Sequence, residues 1–135
     1  MQLQFLDVLH AKDIETAFQA ASKGRAQGVL TLNSAILGSQ RAQIAELAVK
    51  KRLPVMYHQS DFVEVGGLIF YGVNVSDLNR RAATYVDKIL KGAKPGDLPI
   101  ERATRFELVI NIKTAKTLGI MIPKAILVRA DRIIE

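Results

Sequence analysis

Apolar positions along this chain fall into short continuous runs and into stripes at helical spacing, and the two patterns alternate from end to end. The opening residues set Leu3 and Phe5 against Gln2 and Gln4, which predicts a strand over residues 2–8. Ile14, Ala17, Phe18 and Ala21 then recur at i, i+3, i+4 and i+7, so a helix follows, with Asp13 as its expected N-cap and Gly24 as its stop. The run Gly28-Val29-Leu30-Thr31-Leu32-Asn33 has the form of a strand covered on both faces. A second helix is expected from a Ser39 cap through Ile44, Leu47 and Ala48 to Lys50-Lys51-Arg52, where cations complement the helix dipole. Pro54 breaks that register and opens a third strand over residues 54–57.

A polar turn over residues 58–67 leads to a fourth strand at Leu68-Ile69-Phe70-Tyr71-Gly72. Ser76 is the expected cap of the longest helix, whose stripe holds Leu78, Ala82, Tyr85, Val86 and Ile89 and whose end is Gly92. Tyr85 and Phe18 are expected in the core. Two prolines in residues 93–99 predict a fixed turn, residues 106–111 a fifth strand, residues 112–118 a short helix ended by Gly119, and residues 123–128 a last helical turn. Residues 132–135 read as a strand end. Strands alternating with helices predict an α/β fold, a three-layer sandwich around a mostly parallel sheet. Ligands of such sheets sit outside the carboxyl ends of the strands, which directs attention to Asn33 and Ser34, to residues 57–62, and to residues 71–74.

Composition narrows the classes. With 135 residues, 49% of them apolar and 24% charged, the chain has the means to form one core. Cysteine is absent, which excludes disulfides, thiolate metal sites and thiol catalysis. The net charge of +6 comes from 19 Lys and Arg scattered along the chain, without tryptophan and without aromatics interleaved among them, so nucleic acid is not an expected partner. The N-terminus lacks a basic region and a small-residue cleavage site, so the chain as written is expected to carry no signal peptide and to be cytoplasmic. No run reaches the roughly 18 apolar residues of a membrane span.

Candidate chemistry is sparse. His10 and His58 have no sequence neighbours at metal-ligand spacing, so no metal is expected. Ser34, His58 and Asp61 are the residue types of a hydrolase site, but no G-x-S-x-G elbow frames a serine. Gly66-Gly67 lacks both the dinucleotide and the Walker spacings, so no cofactor is indicated, and its expected use is to turn the backbone into the fourth strand. The strand ends instead collect hydrogen-bonding and aromatic side chains, a binder's inventory without enzyme chemistry.

Several long stretches resemble one family. Phe62-Val63-Glu64-Val65-Gly66-Gly67-Leu68-Ile69-Phe70-Tyr71-Gly72 is similar to the FVEAGGLMSYG segment of the tryptophan/tyrosine-type substrate-binding proteins of bacterial ABC transporters. The resemblance continues through Ile44 to Ala48, Arg52-Leu53-Pro54, Arg80 to Pro95, Asp97-Leu98-Pro99, Phe106 to Lys116, and Arg129 to Glu135. It implies a type I periplasmic-binding-protein fold, two lobes hinged around a small solute such as an amino acid, and an ABC permease as partner. It further implies an extracytoplasmic setting for the family and no catalysis. On this resemblance, residues 1–92 are the α/β core of the second lobe and residues 93–135 a segment returning from the hinge. The ligand-binding positions it suggests are Asn33, Ser34, Tyr57, His58, Phe62 and Tyr71.

Two departures fall at that pocket. Many members read SDPLF where this chain has Asn33-Ser34-Ala35-Ile36-Leu37, and YGFREF where it has Tyr57-His58-Gln59-Ser60-Asp61-Phe62, so ligand identity does not carry over. Members are also more than twice as long. The expectation is a truncated form, lacking the central strand between residues 2–8 and 29–33, that re-pairs strands or swaps them in a homo-oligomer. The competing expectation is an independent flavodoxin-like interaction or regulatory domain.

Overall fold

Five of the apolar runs become strands of one sheet in a computed structural model that describes residues 2–135. They are β1 (Val29–Leu30), β2 (Val55–Tyr57), β3 (Ile69–Val73), β4 (Phe106–Asn111) and β5 (Arg132–Ile134), adjacent in that order. Seven helices accompany them: α1 (Asp13–Lys23), α2 (Ala35–Ser39), α3 (Arg41–Lys50), α4 (Asp61–Glu64), α5 (Val75–Leu90), α6 (Ile112–Leu118) and α7 (Lys124–Leu127). β1, β2 and β3 run parallel, with Val29 beside Val55 and Tyr57 beside Phe70. The end of β4 then meets the start of β3, where the Asn111 N–H donates to Leu68 O at 2.9 Å, so β4 runs the other way. β5 is parallel to β4. The fold is α/β with a mostly parallel sheet.

The chain divides into two compact units, one made of the residues up to Tyr71 with Leu108–Glu135, the other of Gly72–Glu107. In the first, one sheet face presents Val55 and Tyr57 to α1, α3 and α4. Ile14, Phe18, Ala21, Ile44, Ala48, Leu53 and Phe62 close over them, with Val8 and Leu47 at the margin. A second cluster joins Val63, Phe70 and Val109, with Ile134 packed against it. Asn111 caps α6 by accepting the Thr114 N–H at 2.9 Å, and its amide donates to Val63 O, tying β4 to α4. Gly119 ends α6 at φ +72°, a left-handed position that suits glycine.

In the second unit, α5 is tied back to the segment that follows it. Its cap is Asn74, which accepts the Asp77 N–H at 2.9 Å. Arg81 pairs with Glu101 and donates to Arg102 O, and the Tyr85 hydroxyl donates to Pro99 O at 2.6 Å.

Several expectations are corrected. Residues 2–8 form no strand: Leu3 and Phe5 are exposed, and only Val8 reaches the core. Alternation alone does not make a strand; a ladder partner is required, and β1 pairs with β2 alone and stands at the edge. Asp13 lies inside α1, where its carboxylate accepts the N–H groups of Leu9 and His10 and holds the preceding turn. Ser39 ends α2 and its hydroxyl donates back to Ile36 O, so α3 starts at Arg41 without a serine cap. Ser76 yields the cap of α5 to Asn74, whose extended backbone aims its side chain at the helix start. The stripe of α5 is not core, because no residue of α5 is buried.

At Gly67 the chain is closely packed against both a ring and a backbone carbonyl. A Cβ built there would lie 2.5 Å from Tyr57 Cε2 and 2.6 Å from Phe62 O. Gly67→Ala is therefore expected to destabilise the protein by about 1–3 kcal/mol, as overpacking of a buried site does; urea denaturation that finds no loss would show that both the Tyr57 ring and the Phe62 carbonyl can give way.

Candidate functional site

β1 and β2 finish at one rim of the sheet, and polar residues follow both of them. β1 runs out into Thr31-Leu32-Asn33-Ser34 before α2, and β2 into His58-Gln59-Ser60 before α4. Thr31 is held in line by its N–H, which donates to Met56 O at 3.0 Å, and is buried. Its hydroxyl joins the two strand ends: the Thr31 Oγ1 accepts the His58 N–H at 3.2 Å and lies 3.0 Å from His58 Nδ1. This threonine interrupts an aliphatic run, a polar residue at a position where a buried strand wants Val or Ile. That was the signal for it, and sequence reasoning passed over it.

Aromatic rings complete the arrangement. Phe62, delivered by α4, stacks on Tyr57 with ring centroids 4.8 Å apart and receives His58 edge-on at 5.0 Å. Tyr57 and Phe62 are 1% and 0% exposed, so in this conformation they form the floor beneath the rim and not a surface of it. Asn33 is exposed and Ser34 half-buried, in extended backbone at the start of α2 with its hydroxyl uncommitted to a cap bond. Tyr71 follows Phe70 on β3, and alternation turns it to the opposite sheet face, 52% exposed. The structure thus gathers Tyr57, His58 and Phe62, sets Asn33 and Ser34 just beyond Thr31, and carries Tyr71 to the other face.

Two buried polar atoms at this rim have no hydrogen-bond partner among the described residues, Tyr57 Oη and His58 Nε2. Burial pushes the Tyr57 phenol far above its ordinary range and holds the His58 imidazole below its ordinary value, so both side chains are neutral at pH 7. His58 bonds to Thr31 and not to Ser34 or Asp61, so those three residues are not assembled as a nucleophile, base and acid. Among the described residues no three His, Asp or Glu side chains converge as metal ligands. What the rim offers is shape and hydrogen bonds.

Comparison with known proteins is specific. The model of the family described as ABC transporter substrate binding protein matches residues 1–134. A curated tyrosine-binding protein of Clostridioides difficile is 25% identical over 75 residues, covering 56% of this chain and 22% of that protein. A solved conserved domain protein from Vibrio cholerae is 30% identical, with a TM-score of 0.82 over 93% of this chain and 42% of that one. An ABC domain from Streptococcus pneumonia, solved in complex with L-Trp, is 25% identical, with a TM-score of 0.86 over 99% of this chain and 46% of that one. The chain spans less than half the length of these structures, and the stretch of it that matches the curated relative spans about a fifth of that protein.

Removing the unpartnered phenol oxygen tests how that atom is used. Tyr57→Phe is expected to leave stability unchanged or to raise it by roughly 1 kcal/mol in urea denaturation, since a buried hydroxyl without a partner is a liability; a clear loss would mean the hydroxyl has a partner. The His58 shift sets a pH dependence. The unfolded chain takes up a proton near pH 6.5 and the folded protein only at lower pH, so the stability linked to this residue is complete above about pH 6.5 and falls as the pH drops through the lowered value. Comparing urea midpoints at pH 7.5 and 5.0, the wild type should lose more than His58→Gln; equal losses would contradict a buried neutral imidazole.

Proposed function

The chain belongs to the ABC transporter substrate binding protein family, a family of binding proteins and not of enzymes, and from that premise we propose that it binds a small amino-acid-like solute at the carboxyl ends of β1 and β2. The observation that carries this reading is the rim itself: uncommitted polar groups at Asn33, Ser34 and His58 stand over a floor of Tyr57 and Phe62, in a fold that matches nearly half of a domain crystallised with L-Trp. Aromatic amino acids are the first candidates because the Streptococcus domain holds L-Trp and the Clostridioides relative is called tyrosine-binding. Asn33 and Ser34 hydrogen-bond the ligand's polar end. Tyr57 and Phe62 shape the pocket from beneath, and Tyr71 contributes where its face meets the rest of the binding protein.

On this proposal the protein works without chemistry. A second lobe closes over the rim, water leaves, and the loaded form is recognised by a membrane permease outside the cytoplasm. Among the described residues no helix is long and apolar enough to cross a membrane. The competing picture of an independent flavodoxin-like regulatory domain has no observation in its favour once the family match runs over residues 1–134.

Titration of the 135-residue chain with L-tryptophan and L-tyrosine, followed in two-dimensional amide NMR spectra, tests the reading. Shifts are expected at residues 33–34 and 57–62, with a Kd on the order of 1 mM because one lobe supplies about half the contacts. Asn33→Ala combined with Ser34→Ala should weaken binding by about tenfold, the worth of one to two hydrogen bonds. Shifts confined to other surfaces, or none at millimolar ligand, would overturn the proposal, and submicromolar affinity would overturn the half-site account.

A further inference from the structure

Two buried polar atoms have no partner among the described residues, and the chemical sense of one of them, His58 Nε2, follows from its neighbours. Thr31 Oγ1 has a single proton to give. It already accepts the His58 N–H at 3.2 Å, and two acceptors stand in range of its own proton, His58 Nδ1 at 3.0 Å and Met56 O at 3.5 Å. An O–H donor at 3.5 Å is beyond ordinary hydrogen-bond length, whereas 3.0 Å is within it. A hydroxyl oxygen accepts twice, so the reverse arrangement has Nδ1–H donating to Oγ1 and the hydroxyl to Met56 O; the 3.0 Å separation against 3.5 Å favours the hydroxyl donating to Nδ1. A neutral imidazole that accepts at Nδ1 carries its proton on Nε2. That N–H is buried and has no partner among the described residues.

We infer that His58, locked by Thr31 in its Nε2–H form, is the donor that recognises a carboxylate oxygen of the bound ligand. The inference rests on the proposed solute-binding role and adds the orientation of the solute. Of the two charged ends of an amino acid, the ammonium has only protons to offer and cannot satisfy a donor. The carboxylate has only lone pairs, and an N–H···O⁻ bond is among the stronger neutral-to-charged pairings. A buried donor left unpaired disfavours the empty site, so the same atom that is a liability without ligand favours binding with it. Phe62, which receives the imidazole edge-on at 5.0 Å while stacking on Tyr57, holds the ring's plane. Thr31 and Phe62 are thus positioning residues, and of these three side chains only that of His58 touches the ligand.

The experiment has two arms. Long-range ¹H–¹⁵N spectra of the ligand-free chain read the tautomer directly: a protonated Nε2 and an unprotonated Nδ1 are expected for His58 at pH 7.5, and the reverse assignment overturns the inference whatever the ligand does. Titration then uses L-tryptophan and tryptamine, which differ by the carboxylate. L-Tryptophan should move the Nε2 and its proton and tryptamine should not. His58→Asn, which places its amide near Nδ1, should weaken L-tryptophan binding by about tenfold, and His58→Gln, whose amide N–H lies near the Nε2 position, should recover binding relative to it. L-Tryptophan that binds at the rim with Nε2 unmoved, or binds His58→Asn as well as wild type, overturns this inference and leaves the proposed function standing. If no small amino acid shifts any resonance at millimolar concentration, the proposed function falls and the inference falls with it.

Discussion

The stack of Tyr57 on Phe62 over a bare glycine is the constraint on which the first unit turns. Three things have to coincide for it: a strand that ends on a large ring, a single turn of helix that brings a second ring back over the first, and a backbone at Gly67 with no side chain to hold them apart. The Gly67 N–H donates to Phe62 O at 2.7 Å, which closes α4 on itself and starts the chain toward β3 in one step. Tyr57 belongs to the cluster under α1 and α3, while Val63, next to Phe62, belongs to the cluster under β4. One short helix therefore links both halves of the core. The rim inherits its rigidity from this floor, and a binding site whose first layer is exposed polar groups depends on a fixed layer below it.

Much of this was legible in the residues. The alternation of strands and helices from α1 onward (α2 apart), the strand over 54–57 and the stop at Gly119 follow from local pattern, and they are present in the structure. Helix starts were less legible. Asp13, Ser39 and Ser76 are all residue types that cap, yet none is the cap expected of it: Asp13 lies in the first turn of α1 and holds the turn before it, Ser39 ends α2, and Asn74 in extended backbone caps α5. Residues 2–8 and α5 were misread for a different reason. Their apolar periodicity is genuine, but periodicity records what a segment is able to bury and says nothing about whether a surface is there to bury it against. Phe5 at 84% exposed and a 16-residue amphipathic helix without one buried residue are that distinction in numbers.

The candidate site divides in the same way. Its place was readable from topology alone, since parallel strands bring their carboxyl ends to one rim. What each side chain does there was not. Tyr57 and Phe62 belong beneath the rim, and Tyr71 is turned by strand alternation to the other face. Thr31 acquires meaning only beside His58, a pairing across 27 residues of sequence that no local pattern announces.

The reversal between β3 and β4 has a topological consequence. Residues 72–107 leave the first unit at one strand and re-enter it on the neighbouring antiparallel strand, so for that unit they amount to a single long hairpin loop. The entropy of closing such a loop grows only with the logarithm of its length. The length of the excursion therefore weighs little on the stability of the sheet that carries the rim.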